Sequence, residues 1–227
     1  MKSCEEIDGL MARLDEIYPT EGICYLTYEQ PWHLLIATIL SAQCTDSRVN
    51  MVTPGLFEKY PDLETLACAH MDELEGCIKS TGFYHSKAVH IIETAQVLLS
   101  KFGGELPRSM ESLTELPGVG RKTANLIRGH IFGIPSIIVD THVKRISGKL
   151  GLTDNTDPYK IEMDLSRLLP EEHWTRYNTQ IIAHGRTVCL ARSPKCEACQ
   201  LAEFCDAREL DKYEGNKRKE ESIQTRV

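Results

Sequence analysis

The sequence contains no hydrophobic run of the roughly 18–20 residues that a membrane-spanning helix needs, which excludes a membrane protein of that kind. Its first residues turn acidic at Glu5 and Glu6, so we expect neither a signal peptide nor a transit peptide. That absence predicts a prokaryotic cytoplasmic protein and leaves a nuclear one open. Internal repeats are also lacking. With 227 residues, 41% hydrophobic and 26% charged, the chain can bury a core without disulfide bonds.

An overall basic charge is lacking too, since the formal net charge is −7. The distribution is uneven: residues 117–150 carry six Lys or Arg and one acidic residue, Asp140. Because screening limits charges to a range of about 8–10 Å, such a basic segment can attract phosphates from an acidic body. The charge pattern therefore allows a local nucleic-acid contact.

Cysteine is abundant, with nine residues, an odd number that argues against a disulfide framework and for a metal site. Four of them, with spacings of six, two and five residues, lie close together in the sequence: Cys189, Cys196, Cys199 and Cys205. Four thiolates can bind tetrahedral zinc or a 4Fe–4S cluster, and the chemistry alone leaves both open. We expect the others to be buried hydrophobic residues: Cys4, Cys24, Cys44, Cys68 and Cys77.

The hydrophobic pattern predicts an all-α protein. Helices are expected over 31–40, 85–102, 109–115, 121–132, 157–169 and 171–189. The β-like stretch Ser136–Val139 is too short and solitary to form a sheet. The polar tail Lys212–Val227 reads as a solvated, flexible end.

Two of these helices enclose the sequence Leu-Pro-Gly-Val-Gly at 116–120. Glycines on both sides of Val119 permit a tight turn whose amides point outward at the positive end of the second helix. This geometry suits a phosphate, and Arg121 and Lys122 follow directly. The alternative is an ordinary corner between two helices.

The segment 116–125 resembles the helix–hairpin–helix of the endonuclease III family of DNA glycosylases. Val139–Val143 is similar to the catalytic segment of that family, and Leu40–Asp46 to its N-terminal signature. The resemblance extends from about Pro31 to Cys205 in register. It implies a two-lobed helical glycosylase fold, with one six-helix lobe over 22–133 and a second lobe over 1–21 and 134–211. The cysteine spacing is that of the 4Fe–4S loop of the family.

The resemblance also implies the chemistry. Lys122 matches the nucleophilic lysine, and the helix dipole and Arg121 both oppose a cation there, which favours a neutral amine. Asp140 reads as a helix N-cap and matches the aspartate that stabilises positive charge at the sugar C1′. The alternatives are that Lys122 only contacts phosphate or solvent and that Asp140 only caps its helix. The implied enzyme is a monomeric, bifunctional glycosylase and abasic-site lyase acting on damaged double-stranded DNA, with oxidised or ring-saturated pyrimidines as its lesions.

Further DNA contacts are expected from the resemblance and from the position of basic residues. Gln43 matches the residue that fills the gap left by a flipped base. Phe83 occupies the position of an apolar wedge, where leucine is common in the family, although a core-facing role is about equally plausible. The remaining candidates lie in the hairpin, after Asp140 and in the cysteine loop: Leu116, Gly118, Val119, Gly120, Arg121, His142, Arg145, Arg192 and Lys195.

Three other functions compete with this one. An adenine-mismatch glycosylase has no lysine nucleophile, whereas this chain has Lys122. It also needs an acidic residue in the helix around 32–41, where this chain has none. The common 8-oxoguanine glycosylases with this hairpin lack the cysteine loop. A non-catalytic DNA-binding iron–sulfur or zinc protein would retain the hairpin and the cysteines but would not depend on Lys122.

Overall fold

A computed structural model of the chain describes residues 2–19 and 23–207. Within those ranges the protein has eleven α-helices and no β-strand, so the predicted all-α class is confirmed. The helices, in chain order, are α1 Cys4–Ile17, α2 Pro31–Leu40, α3 Asp46–Lys59, α4 Leu63–Ala67, α5 Met71–Ile78, α6 Tyr84–Phe102, α7 Met110–Thr114, α8 Arg121–Phe132, α9 Thr141–Lys149, α10 Pro158–Leu168 and α11 Trp174–Thr187. None of these helices is long and apolar enough to cross a membrane.

Local sequence signals start and stop most of the helices. Side-chain N-caps accept a hydrogen bond from an amide of the first turn at Ser3, Thr45, Asp62, Ser109, Asp140 and Asp157. Pro31 and Pro158 open α2 and α10 in the first turn, where a missing N–H costs nothing. Gly103 and Gly133 end α6 and α8 in the left-handed conformation.

The helices form two compact units. The hairpin unit, Cys24–Ser136, is built around α2, whose nine residues Trp32–Leu40 are all buried. The amphipathic face of α6 packs against it with Ala88, Ile91, Ala95 and Leu98. Burial of these large apolar side chains supplies the driving force that holds α2 and α6 together.

The cysteine-loop unit combines Met1–Ile23 with Ile137–Val227, as far as these residues are described. Its core joins α1 to α9, α10 and α11 through buried aliphatic side chains and Tyr177. The Tyr177 hydroxyl is hydrogen-bonded to Ser147 Oγ at 2.9 Å, so its polar end is satisfied inside the core. This hydrogen bond pairs the two buried hydroxyl groups, one from α9 and one from α11, and therefore fixes the packing of these two helices against each other.

Several sequence expectations need correction. The hairpin unit, all of which is described, has seven α-helices instead of six, because α4 and α7 are separate five-residue helices. The helix predicted over 171–189 begins as a 3₁₀ turn at Glu171–His173 and ends at Thr187, so that Cys189 leaves the helix for the loop. The predicted polar tail Lys212–Val227 lies outside the described residues.

The expectation that the five scattered cysteines are buried is wrong. Cys4 and Cys68 are exposed, and Cys24, Cys44 and Cys77 are partly buried. Cys4 starts α1 and Cys68 caps the end of α4, positions at which a small side chain points away from the core. Burial frequency for a residue type does not predict the exposure of helix ends.

Candidate functional site

The hairpin between α7 and α8 is a tight turn with its side chains turned inward. Leu116 and Val119 are 2% and 6% exposed, and the Val119 amide donates to the Leu116 carbonyl at 3.0 Å. Gly118 has a φ of +75°. Gly120 precedes α8 and has no side chain that could cap its first amides. The turn therefore presents backbone to solvent, and Leu116 and Val119 can contribute to DNA binding only through their main-chain atoms.

Helix α6 supports this turn from below. The Thr94 hydroxyl donates to the Pro117 carbonyl at 2.8 Å. A Cβ placed on Gly118 would lie 2.8 Å from Nδ1 of His90. Glycine is thus required at 118 twice, by the left-handed backbone and by the approach of the imidazole ring.

Lys122 lies in the first turn of α8, and its side chain is exposed. Arg121 beside it is exposed as well. Ala124 and Ile127 bury the opposite face of the helix in the core of the hairpin unit. An anion bound at the amides of the turn would therefore sit next to two cationic side chains.

Gln43 and Phe83 share an unusual backbone conformation. Their φ angles are 53° and 50°, and among residues 2–19 and 23–207 they alone have positive φ without being glycine. Gln43 follows α2 and Phe83 precedes α6, and both side chains are exposed, Phe83 by 64%. The surrounding structure thus holds Gln43 and Phe83 in energetically costly backbone conformations, which is characteristic of functional positions. We call these two exposed residues the Gln43 tip and the Phe83 tip. The core-facing alternative for Phe83 is wrong.

In the cysteine-loop unit, Asp140 caps α9, as predicted. Its Oδ1 accepts a hydrogen bond from the Val143 amide at 2.7 Å, and the side chain is half-buried. The preceding extended segment is anchored because Asn178 Nδ2 donates to the Ile138 carbonyl at 3.1 Å. The carboxylate of Asp140 therefore has a fixed position at the helix start.

The other predicted contact residues of this unit have different surroundings. His142 packs against Gly185, where an added Cβ would lie 2.3 Å from the imidazole Nδ1. Arg145 donates to the Cys189 carbonyl at 2.7 Å, so its guanidinium is directed at the cysteine loop. Arg192 and Lys195 are exposed on that loop. A DNA contact by each of these four residues stays a prediction.

The four loop cysteines line one cavity of about 60 Å³. Four thiols around one cavity can supply one cysteine to each iron of a 4Fe–4S cluster. The remaining wall is largely aliphatic, with Ile146, Leu150, Val188 and Leu201.

The electrostatic surroundings also fit an iron–sulfur cluster. An Arg145 nitrogen lies 3.5 Å from Cys189 Sγ, and Lys149 and Lys195 line the cavity. Burial raises the pKa of the Cys199 thiol, and the neighbouring Cys205 adds to that effect. Bound iron supplies the positive charge that favours thiolates at such a site. The residues that line the cavity are therefore chemically suited to hold a 4Fe–4S cluster.

Comparison with known proteins assigns the family. Residues 36–171 match the HhH-GPD superfamily of base excision DNA repair proteins, and residues 189–205 match the iron–sulfur binding domain of endonuclease III. Endonuclease III of Synechocystis sp. is 52% identical over 193 residues, which cover 85% of this chain and 88% of the relative. The chain belongs to the endonuclease III family. Endonuclease III of Bacillus subtilis is 39% identical over 206 residues, 90% of this chain and 94% of that protein.

Solved structures agree with the endonuclease III assignment. A trapped covalent endonuclease III–DNA intermediate superimposes with a TM-score of 0.86 at 39% identity, covering 93% of this chain and 99% of the other. A non-covalent endonuclease III–DNA complex gives a TM-score of 0.87, covering 94% and 100%. The chain is thus a DNA-binding glycosylase and abasic-site lyase of base excision repair that carries a 4Fe–4S cluster, as the sequence predicts.

Sequence reasoning missed three side chains of α6 that contact the site segments, namely Lys87, His90 and Thr94. A signal was present for two of them. Lys87 and Thr94 lie on the same helical stripe as Ile91 and are buried, with 3% and 0% exposure. A lysine on the apolar stripe of a helix indicates a specific internal partner.

Proposed function

We propose that Lys122 is the nucleophile and Asp140 the electrostatic partner of this endonuclease III family member. The Lys122 amine attacks C1′ of the damaged nucleotide, and the bond from C1′ to the base breaks with its electron pair leaving on the base. The fixed Asp140 carboxylate stabilises the positive charge that develops at the sugar. The bound nitrogen then loses a proton, and its lone pair breaks the bond from C1′ to the ring oxygen O4′, which takes up a proton. The product is an open-chain imine between Lys122 and the sugar.

The imine makes the proton on C2′ acidic. Its removal leads to β-elimination, in which the bond from C3′ to the 3′ phosphate oxygen breaks and the strand is nicked. Water then hydrolyses the imine and frees Lys122 for another turnover. The 4Fe–4S cluster takes no part in these steps and stabilises the fold of its loop.

One observation carries the proposal for Lys122. Its exposed side chain starts in the first helical turn after the glycine turn at 118–120, whose amides suit a phosphate. A DNA phosphate held by those amides would bring the adjoining sugars within reach of the amine. If Lys122 only bound phosphate, the protein would not need it to form a covalent adduct with DNA. Covalent trapping of the DNA is therefore the test of its role.

We propose oxidised or ring-saturated pyrimidines as the lesions. Gln43 and Phe83, at the two strained and exposed tips, would occupy the space that the flipped base leaves in the duplex. Arg121, Arg192 and Lys195 would bind phosphates, since all three are exposed cations. The enzyme acts as a monomer. The bacterial sources of the named relatives support a cytoplasmic location on chromosomal DNA.

The decisive experiment is borohydride trapping on a duplex with one thymine glycol. Borohydride reduces an imine to a stable protein–DNA adduct, so we expect an adduct with the wild-type chain. Lys122→Gln should abolish the adduct and retain the cluster. Lys59→Gln is the matched control, because Lys59 is an exposed lysine at the end of α3 that is paired with Glu73, and both residues are distant in sequence from the hairpin.

Two results would contradict the proposal. An adduct that persists in Lys122→Gln would assign the nucleophile to another amine. Base release with an intact strand and no adduct from the wild-type chain would indicate a monofunctional enzyme. A duplex with a preformed abasic site, tested in parallel, distinguishes an unsuitable lesion from a lack of imine chemistry. A wild-type chain that binds DNA but shows neither base excision nor abasic-site cleavage would favour the non-catalytic alternative.

A further inference from the structure

Lys87 is a buried cation in the middle of the hairpin unit. Its side chain is 3% exposed, and its Nζ donates to the Leu40 carbonyl at 2.8 Å and to the Thr81 carbonyl at 2.9 Å. Leu40 is the last residue of α2, and Thr81 ends the 3₁₀ turn Lys79–Thr81. One ammonium group therefore joins two chain segments that are about forty residues apart in the sequence.

The two carbonyls lie directly before the two strained tips. Leu40 precedes Gln43 by three residues, and Thr81 precedes Phe83 by two. The backbone amide of Lys87 also donates to the Phe83 carbonyl at 3.1 Å. Lys87 thus contacts the Phe83 segment through a side-chain bond to Thr81 and through the first main-chain bond of α6 to Phe83.

The ammonium group of Lys87 satisfies two carbonyls at an energetic cost. Burying an ammonium group opposes folding, and burial lowers the pKa of Lys87. An aliphatic residue is excluded at this position because it would leave the Leu40 and Thr81 carbonyls without the donor that Lys87 supplies. Covalent chemistry is excluded as well, because a buried amine bonded to two carbonyls cannot reach a sugar. What the lysine adds is a fixed distance between the two carbonyls.

We propose that Lys87 is a positioning residue for base flipping, which holds the Gln43 and Phe83 tips in one fixed arrangement so that they enter the duplex together. Both tips must enter the duplex as the base leaves it, since each fills space that the extruded base vacates. A fixed frame lowers the entropic cost of bringing them there. This inference rests on the insertion role proposed for Gln43 and Phe83, and it adds the side chain that sets their spacing.

The test separates flipping from chemistry. Single-turnover excision of thymine glycol needs the base to be extruded, whereas β-elimination at a preformed abasic site has no base to extrude. For Lys87→Met we expect excision to fall by about ten- to a hundredfold, the scale on which misplaced groups lower rates, and cleavage at the abasic site to fall far less. Lys59→Met removes an exposed lysine of the hairpin unit that is paired with Glu73, and it should change neither rate.

A second readout needs no catalysis. In a duplex with a stable abasic analogue opposite 2-aminopurine, insertion of the tips should unstack the probe and raise its fluorescence. Lys87→Met should reduce this rise as much as Gln43→Ala does, and the double variant should lose less than the two single losses combined, because both changes act on the same insertion. A wild-type fluorescence rise in Lys87→Met, or full additivity, would overturn the proposal.

A structural role alone predicts a different result: both rates would fall by the same factor, together with the melting temperature and the visible absorbance of the cluster. If Lys87→Met does not fold, Lys87→Gln tests the same point, since glutamine keeps two N–H donors but is shorter than lysine and carries no charge. Failure of the catalytic proposal would be visible in the wild-type chain as a missing borohydride adduct. Failure of the positioning proposal would be visible only in the Lys87 variants.

Discussion

The Thr94 hydroxyl donates a hydrogen bond to the carbonyl of Pro117 at 2.8 Å. Thr94 is fully buried in α6, and Pro117 belongs to the turn that precedes α8. Phe83, Lys87, His90 and Thr94 lie along one stripe of the same helical segment. A single helix therefore supports the Phe83 tip, the end of α2 and the hairpin, and the position of each depends on the others.

Thr94→Val should lower the free energy of unfolding by about 1–2 kcal/mol, because the partly buried Pro117 carbonyl loses its partner. Duplex DNA binding should weaken as the turn loosens. Thr114→Val is the matched control, since Thr114 makes the same kind of bond to the Met110 carbonyl on an exposed helix. That change should stay within about 0.5 kcal/mol. Denaturant unfolding and a binding titration measure both, and equal effects would contradict the role of Thr94.

Gly118→Ala should destabilise the protein by more than about 1 kcal/mol, because alanine is unfavourable at a φ of +75° and its Cβ would press on His90. The same substitution at Gly76, where a Cβ meets nothing within 4 Å, should stabilise α5 by about 0.5–1 kcal/mol. Loss of DNA binding should accompany only the first change. A Gly118→Ala protein with wild-type stability and affinity would refute this account of the turn.

Asp140→Asn tests the charge of Asp140 separately from its cap. Asparagine caps helices as well as aspartate does, so the melting temperature should change little. Loss of the carboxylate should lower the excision rate by about a hundredfold or more. Asp157→Asn makes the same change at the N-cap of α10, where the Lys160 amide donates at 3.0 Å, and should leave the rate intact. Unchanged excision in Asp140→Asn would show that capping is its whole function.

Cys199→Ala should prevent assembly of the cluster and unfold the loop, since metal binding supplies folding free energy there. Iron and sulfide content per chain should fall sharply, and the affinity for duplex DNA should fall with them. Cys68→Ala removes an exposed cysteine outside the loop and should leave the iron content unchanged. Full iron content in Cys199→Ala would exclude Cys199 from the ligand set.

His33 should make the stability of the hairpin unit depend on pH. Burial lowers the pKa of His33 below its ordinary value of 6.5, and its ring stacks on Phe57 at 3.8 Å. The unfolded chain therefore binds a proton before the folded chain does, so stability is lost as the pH falls from about 6.5 towards the folded value. In His33→Gln the melting temperature should fall less between pH 7 and about pH 5. His70→Gln, at an exposed histidine, should match the wild-type slope, and an equal slope in both variants would contradict the prediction.

Much of the local structure could be predicted because its causes are local. The bounds of α2 and α8 follow from Pro31, Gly120 and Gly133, and the Asp140 cap follows from the residue type and its place after an apolar run. Helix α3 was not predicted. Pro54 lies inside it and argues locally against a helix, and burial of Val49, Thr53 and Leu56 on one face outweighs that signal.

The sequence by itself determined the all-α class, the hairpin and the four-cysteine loop, because each depends on short-range spacing and residue chemistry. Lys122 and Asp140 were singled out by the resemblance to the endonuclease III family, and their roles stay a proposal. Only the tertiary structure decided which side chains hold these parts in place. Lys87, Thr94 and Arg145 contact carbonyls 47, 23 and 44 residues away in the chain. Such partners leave no periodic trace in the sequence, because they form only when packing brings distant segments together and a buried donor requires an acceptor.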